Sequence, residues 1–283
     1  MKKVILFAML LAAGVLAAET LKITQSAQMT PAKNITSDAN GVLTFKGSCA
    51  SYSTRIFELD PTKKYTVSGD FRQIAGKKAA VLFFGFQPMD AQNRQILLPH
   101  TQIIPGTDTV AVLRPRLQSW MPHTQIIPGT DTVLTADVPK GAKEIRVKDA
   151  SKWRKGYRFA INTDPSLKDL PNFNVIHNNS VTAVKDGDDW KVTFASPIRI
   201  AIKKGTSVRQ HGLGGTMYPA APAVRLNGNW KTYKGSATGI LKTYGYSYTK
   251  FPIGTTKVRM ILFVNLGQED AVTEAKNLTL SVE

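Results

Sequence analysis

Lys143 to Ile161 reads KEIRVKDASKWRKGYRFAI, His177 to Ile198 reads HNNSVTAVKDGDDWKVTFASPI, and Lys203 to Gly212 reads KKGTSVRQHG. Apolar and polar residues alternate over short segments here, and turn-formers interrupt them at Asp149 to Ser151, Lys155–Gly156, Asp186 to Asp188 and Lys204–Gly205. The pattern predicts four or five short strands, enough to curl into a small barrel. Outward from it, Leu21 to Leu98 and Arg225 to Glu283 also read as short strands, and neither is a complete domain. No helical periodicity exceeds two turns. The chain is therefore expected to be all-β, with a β-sandwich formed by its N- and C-terminal segments and a small β-barrel-like domain inserted between them.

This reading divides the chain into four segments: a signal peptide over residues 1–18, a discontinuous sandwich over 19–98 and 212–283, a duplicated linker over 99–134, and the inserted domain over 135–211. The signal rests on two lysines, an apolar run from Val4 to Leu16 and small residues at Ala17 and Ala18, which is the layout of an export signal too short for an ordinary membrane span. Secretion, or export to a periplasm, is the expected localisation. No other apolar run is long enough to cross a bilayer, so no transmembrane segment is expected in the mature chain. Removing 18 of 283 residues leaves 265, sufficient for a large core without disulfide staples. The single cysteine, Cys49, then reads as a core residue.

Lysine and arginine outnumber the acids 37 to 20, a formal charge of +17 that becomes +15 once Lys2 and Lys3 are removed. The lysines are scattered over strand ends and turns. That distribution suits solvated faces and protected sheet edges better than a phosphate-binding stripe, and no nucleic acid partner is expected. An acidic polysaccharide is the partner that the charge favours.

The segment PHTQIIPGTDTV occupies Pro99 to Val110 and recurs unchanged at Pro122 to Val133. A repeat protein needs three or more degenerate units, so this reads as a local duplication. One copy should continue into the inserted domain while the other is surplus, and Trp120 and Met121 would lie exposed in the surplus. A duplicated binding loop carrying His100 and His123 is the functional alternative.

FELDPTKKYTVSGDFR at Phe57 to Arg72, Gly85, Asp90, Trp230, KVRMILFVNLGQ at Lys257 to Gln268 and KNLTLSVE at Lys276 to Glu283 together resemble the jelly-roll sandwiches of carbohydrate-binding modules with a galactose-binding-like fold. The middle segment, with its strand, Asp-Ala-Ser turn, aromatic residue and Lys-Gly, resembles a small β module of many secreted bacterial carbohydrate-active proteins. The resemblance implies a jelly-roll sandwich and a glycan ligand. Such modules often hold a structural calcium. Here the richest carboxylate cluster, Asp186-Gly-Asp-Asp189, lacks the spacing of a calcium loop and reads as a hairpin turn. No cofactor or metal is assigned, and the four histidines are too dispersed to ligate one.

Sugar binding needs flat aromatic faces beside polar groups. The candidates are Tyr218, Trp230, Tyr233, Tyr244, Tyr246 and Tyr248, with Arg72, Asp90 and Arg94 at the rim. The last three tyrosines are spaced by two, which places them on one strand face. Trp153 and Trp190 read as core. For catalysis, Glu58, Asp60, Asp70 and Asp90 could supply a glycosidase pair, and His211, Tyr218 and Arg225 a lyase group, but nothing fixes a geometry and no catalytic residue is assigned. The reading is a secreted, non-catalytic carbohydrate-binding protein or accessory module. A structural or surface-assembly envelope protein and a polysaccharide lyase or glycoside hydrolase are the alternatives.

Overall fold

A computed structural model describes residues 19–96, 126–176, 178–211, 217–242 and 247–283, together with the strand backbone of Thr101–Ile103 and Val110–Val112. The N-terminal segment forms β1 (Glu19–Ile23), β2 (Met29–Thr30), β3 (Ile35–Ser37), β4 (Leu43–Lys46), β5 (Cys49–Ser53), β6 (Phe57–Glu58), β7 (Lys64–Ala75) and β8 (Val81–Met89). Among the described residues, two short strands, β9 (Thr101–Ile103) and β10 (Val110–Val112), pair with each other and with no other strand. The middle of the chain forms β11 (Thr132–Val133), β12 (Glu144–Val147), β13 (Arg158–Ile161), β14 (Val175–Ile176), β15 (Ser180–Asp186), β16 (Asp189–Phe194) and β17 (Ser207–His211). The C-terminal segment adds β18 (Ala221–Arg225), β19 (Lys231–Thr238), β20 (Lys257–Val264) and β21 (Val272–Val282). The one helical element among the described residues is the 3-10 turn Ser26–Gln28. No helix of the described residues is long and apolar enough to cross a membrane.

The sandwich consists of two six-stranded antiparallel sheets. The first runs β19-β7-β21-β4-β3 with β1 also on β21, and the second runs β18-β8-β20-β5-β2 with β6 also on β20. Each sheet thus depends on strands from both ends of the chain. The alternation in β7 sends Tyr65, Val67 and Phe71 inward, where Phe71 meets Phe84 of β8 edge to face at 5.3 Å between ring centroids. Val258, Met260, Leu262 and Val264 of β20 enter the same core. Strand β8 is central and apolar on both faces, as the Val81 to Phe86 run predicts, because the second sheet carries an additional apolar cluster on its outer side. Cys49 is buried at the start of β5, and burial pushes its thiol up to about 11.

Asn265, immediately after β20, is fully buried and adopts φ 59°, a left-handed conformation that asparagine tolerates. Its amide nitrogen donates to the carbonyls of Phe45, Gly47 and Ala271, and its side-chain oxygen accepts from the Thr273 hydroxyl. This knot ties the turn after β4 to the end of β20 and the start of β21. Gly85 serves a different need. A Cβ there would lie 1.9 Å from the Met217 carbonyl oxygen, so the chain entering β18 can approach β8 this closely only over a glycine.

The inserted unit has its own core, centred on Leu134, Ile145, Val147, Phe159, Phe194 and Val208. Its described residues form two sheets, β11-β17-β13-β14 and β12-β16-β15. These meet through Phe159 and Phe194, 5.1 Å apart, and are linked by a backbone bridge between Leu134 and Val147. Among the described residues these strands form two small packed sheets and do not draw a continuous closed barrel. Trp153 is core as expected, its indole nitrogen donating to the Thr130 carbonyl, and Trp190 packs part-buried against the same cluster.

The unit's N-terminal boundary also moves. Its expected start is residue 135, yet the second repeat copy already belongs to it. Ile126 bridges His211, the Ile127 amide donates to the Gln210 carbonyl, Thr130 Oγ1 accepts from the Gln210 amide, and Thr132–Val133 pairs with β17. The reason lies downstream of each copy. Leu134 is buried in this core and Val138 exchanges two backbone bonds with Ile202, whereas the corresponding residues after the first copy are Ala111 and Pro115. Alanine leaves a void and proline has no amide to donate. His100, His123, Trp120 and Met121 lie outside the described residues.

Two outcomes test this architecture. Deleting Pro99 to Met121 leaves a single repeat copy joined to the inserted unit, and urea unfolding of that variant is expected to match the full chain to within about 1 kcal/mol, since loop length contributes weakly. Asn265→Ala strips partners from three buried carbonyls and a hydroxyl, and is expected to cost at least about 2 kcal/mol in the same measurement.

Candidate functional site

Because β7, β19 and β21 pair in register and send their apolar residues inward, their other side chains share the solvent-facing side of the first sheet. Cross-strand partners there are Arg72 with Glu274, Asp70 with Lys276 and Thr232, Ser68 with Lys234 and Thr279, and Thr66 with Ser236 and Ser281. Lys22 of β1 and Lys64 complete the face. Among the described residues of these strands, Lys22, Lys64, Arg72, Lys234 and Lys276 thus stand against the carboxylates of Asp70 and Glu274, in a field of hydroxyls. Thr232 Oγ1 and Asn277 Nδ2 donate to Asp70 at 2.6 and 2.7 Å, and Thr66 bonds Ser236 at 2.9 Å.

Trp230 stands at one edge of this face, immediately before β19. The Arg72 guanidinium lies 4.6 Å and the Lys276 ammonium 4.5 Å from its ring centroid, and Arg72 is also bound to Glu274 at 2.7 Å. A part-exposed indole is thereby held by two cations on a rigid sheet. Of the residues expected to bind sugar, Arg72 and Trp230 are brought together. Sequence spacing gave no hint of Lys276, Asn277 and Thr232 as neighbours. The alternation of the last strand marks their face, but its pairing with β7 is a tertiary fact.

The other expected residues are placed differently. Tyr218 and Tyr233 are only 2% and 8% exposed, so they are packing residues and not sugar platforms. Tyr218 stacks edge to face on Phe83 and Phe263, and Tyr233 on Phe71; burial raises both phenols. Asp90 is buried too: its carboxylate accepts from the Gln92 and Arg94 amides and from Arg94 Nε at 2.6 Å, which makes it the organiser of a turn and withdraws it and Arg94 from a rim role. Tyr248 is exposed in the loop after β19. Tyr244 and Tyr246 lie outside the described residues.

The residues weighed for catalysis do not assemble. His211 is buried in the inserted unit, Tyr218 is buried against the second sheet, and Arg225 is exposed at the end of β18. Asp60 caps its Pro turn through Thr62, and that bonding lowers its carboxyl. The Asp186–Asp189 cluster forms the β15–β16 hairpin turn, with Asp186 on Arg146 and Asp189 on Thr135.

The second sheet's outer side is aromatic. Ile261 and Phe263 are buried there beneath Tyr218, with Phe83, Tyr52 and Ala50 part-exposed around them. Arg259 rises from the same strand, its guanidinium 4.1 Å from the Tyr52 ring centroid.

The inserted unit holds two further features. A pocket of about 270 Å³ is lined by Ser151, Trp153, Arg154, Lys155, Val181 and Trp190, but the adjoining Ser180 hydroxyl is committed to the carbonyls of Arg154 and Tyr157. The second feature is a charge network around a buried arginine. Arg209 is completely buried, bonded to Asp169 at 2.7 Å, to the Asp164 carbonyl at 3.1 Å and more loosely to Asp131 at 3.5 Å. Burial raises the Asp131 carboxyl, opposed by Arg209 and reinforced by Asp169. Arg209 and Asp169 of this network are buried, and Asp131 is part-exposed.

No family model, curated protein or solved structure matches this chain. What is established is an all-β sandwich of antiparallel sheets.

The Arg209 network predicts an asymmetry between its carboxylates. Asp169→Asn removes the close counter-ion of a buried guanidinium and is expected to cost about 3–5 kcal/mol, whereas Asp131→Asn should change stability by less than about 1 kcal/mol. The sign with pH comes from the raised Asp131 carboxyl. Just above the ordinary aspartate pKa the folded chain binds more protons than the unfolded one, so this group's contribution to stability falls as pH rises through that window. Urea titrations of wild type and Asp131→Asn between about pH 4 and pH 7 should therefore diverge, with wild type losing ground to the variant as pH rises.

Proposed function

We propose that this protein is an exported, non-catalytic binder of acidic polysaccharide, using the solvent-facing side of the first sheet. The observation that carries the reading is Trp230 at the edge of a hydroxyl-rich, cationic sheet face, in contact with Arg72 and Lys276. An indole offers area for the C–H face of a sugar ring, and the adjacent guanidinium and ammonium offer partners for a carboxylate or sulfate. The Ser and Thr rows along β7, β19 and β21 supply donors and acceptors for hydroxyls at the spacing of adjacent strands. A sheet holds these groups without further ordering on binding, which limits the entropic cost.

The overall charge supports an anionic partner, since an excess of cations raises its local concentration at low salt. The leader-like first 18 residues support export, and the resemblance of the flanks to galactose-binding-like carbohydrate-binding modules agrees with a glycan ligand.

Calorimetric titration of the mature chain with a polyuronate, a sulfated polysaccharide and a neutral glucan tests the reading. The acidic polymers are expected to bind more tightly than the glucan and to weaken as salt rises. Trp230→Ala is expected to reduce polyuronate affinity about tenfold, or about 1.4 kcal/mol. Retention of wild-type affinity by that variant, or no polymer bound at low salt, would overturn it.

A further inference from the structure

We propose that the pocket of the inserted unit binds a small organic anion, a carboxylate carried on a single six-membered ring, with Trp190 as the wall for the ring and Arg154 and Lys155 as the cations for the carboxylate. This site does not depend on the Trp230 face, which belongs to the sandwich.

Strand alternation places the wall. Trp190, Val192 and Phe194 share the inward side of β16. Val192 and Phe194 are buried in the unit's core, whereas Trp190 ends the row part-buried, where it lines the pocket together with Trp153, Val181 and the turn that begins at Ala150. Its cross-strand partner on β15 is Lys185, so a third cation stands on the same side of this sheet. The pocket is open to a ligand, since Ser151, Arg154, Lys155 and Val181 on its lining are all exposed.

The frame behind it is fixed. The Arg154 amide donates to Gln210 Oε1 at 2.8 Å, and the Arg154 carbonyl accepts from Gln210 Nε2 at 2.9 Å and from Ser180 Oγ at 2.8 Å. Gln210 is fully buried, and the Gly156 amide donates to the Ser180 carbonyl at 2.9 Å. These bonds use the backbone of the turn, so they hold Arg154 and Lys155 in place without engaging either charge. Elsewhere in the unit Arg146 pairs with Asp186 and Arg209 with Asp169. Arg154 and Lys155 form no ion pair among the described residues, and no carboxylate is among the described residues that line the pocket.

Two uncompensated cations beside an indole define the ligand. A guanidinium and an ammonium select an anionic oxygen group, and the indole selects a flat ring. The volume of about 270 Å³ lies just under the roughly 300–1,000 Å³ of sites that enclose drug-sized molecules, which suits one ring and not a stretch of polymer. A sugar acid and an aromatic acid share these features. Acetate lacks the ring, and glucose lacks the charge.

Calorimetric titration at low salt tests the site in the mature full-length chain carrying Trp230→Ala, a background that keeps the result apart from the fate of the first sheet face. Glucuronate, benzoate, glucose and acetate serve as separate probes. At least one of the two ring acids is expected to bind, with glucose and acetate at least about tenfold weaker, and the tighter ring acid names the source as sugar or aromatic. Arg154→Gln is expected to weaken that ring acid about tenfold and Lys155→Gln several-fold. Both side chains are exposed, so both variants should keep the urea midpoint of their parent. Lys140→Gln removes an equal charge from an exposed turn of the same unit outside the pocket, and is expected to leave affinity within about twofold. Binding of neither ring acid, acetate bound as tightly as the better one, undiminished affinity in Arg154→Gln, or an equal loss in Lys140→Gln would overturn the assignment.

Discussion

The structure depends on one long-range closure: β7 against β21 in one sheet and β8 against β20 in the other, with Phe71 and Phe84 meeting between them. Strands separated by more than half of the chain must pair before either sheet has an apolar face to bury, because neither terminal segment owns a complete sheet. The inserted unit can occupy the gap since it buries a core of its own. Asn265 then locks the closure at one end, where its side chain bonds three buried carbonyls and the Thr273 hydroxyl at once.

Desolvated charge is treated in two ways in this molecule. Arg209 is withdrawn entirely and surrounded by acceptors, so its burial organises the inserted unit. Arg259 is withdrawn in part and rests over the Tyr52 ring, with no ion pair among the described residues. Trp230 lies between these cases, because Arg72, one of its two cations, also pairs with Glu274, and both cations are part-exposed.

Much of the fold was legible in residue order. The apolar run of β8, the nearly continuous β20, the Pro turn at Asp60 and the Asp186 hairpin all arise from local alternation and turn chemistry. The site was far less legible. Tyr218 and Tyr233 look like sugar platforms in a row of aromatics, yet a tyrosine's alternation is the same whether its face meets solvent or another sheet. Asp90 looks like a rim carboxylate until its turn is seen to absorb it.

Residue order alone specifies an all-β chain, the interruption of one β unit by another, and the positions of most turns, because these rest on contacts within a few residues. It also specifies which repeat copy the inserted unit can use, through the residues downstream of each copy. Assembly in three dimensions settles the remainder: which side of each strand is interior, which arginines find carboxylates, and that Trp230, Arg72 and Lys276 share one surface. Those outcomes depend on pairing between distant strands, and burial is a property of the assembled sheets rather than of any one of them.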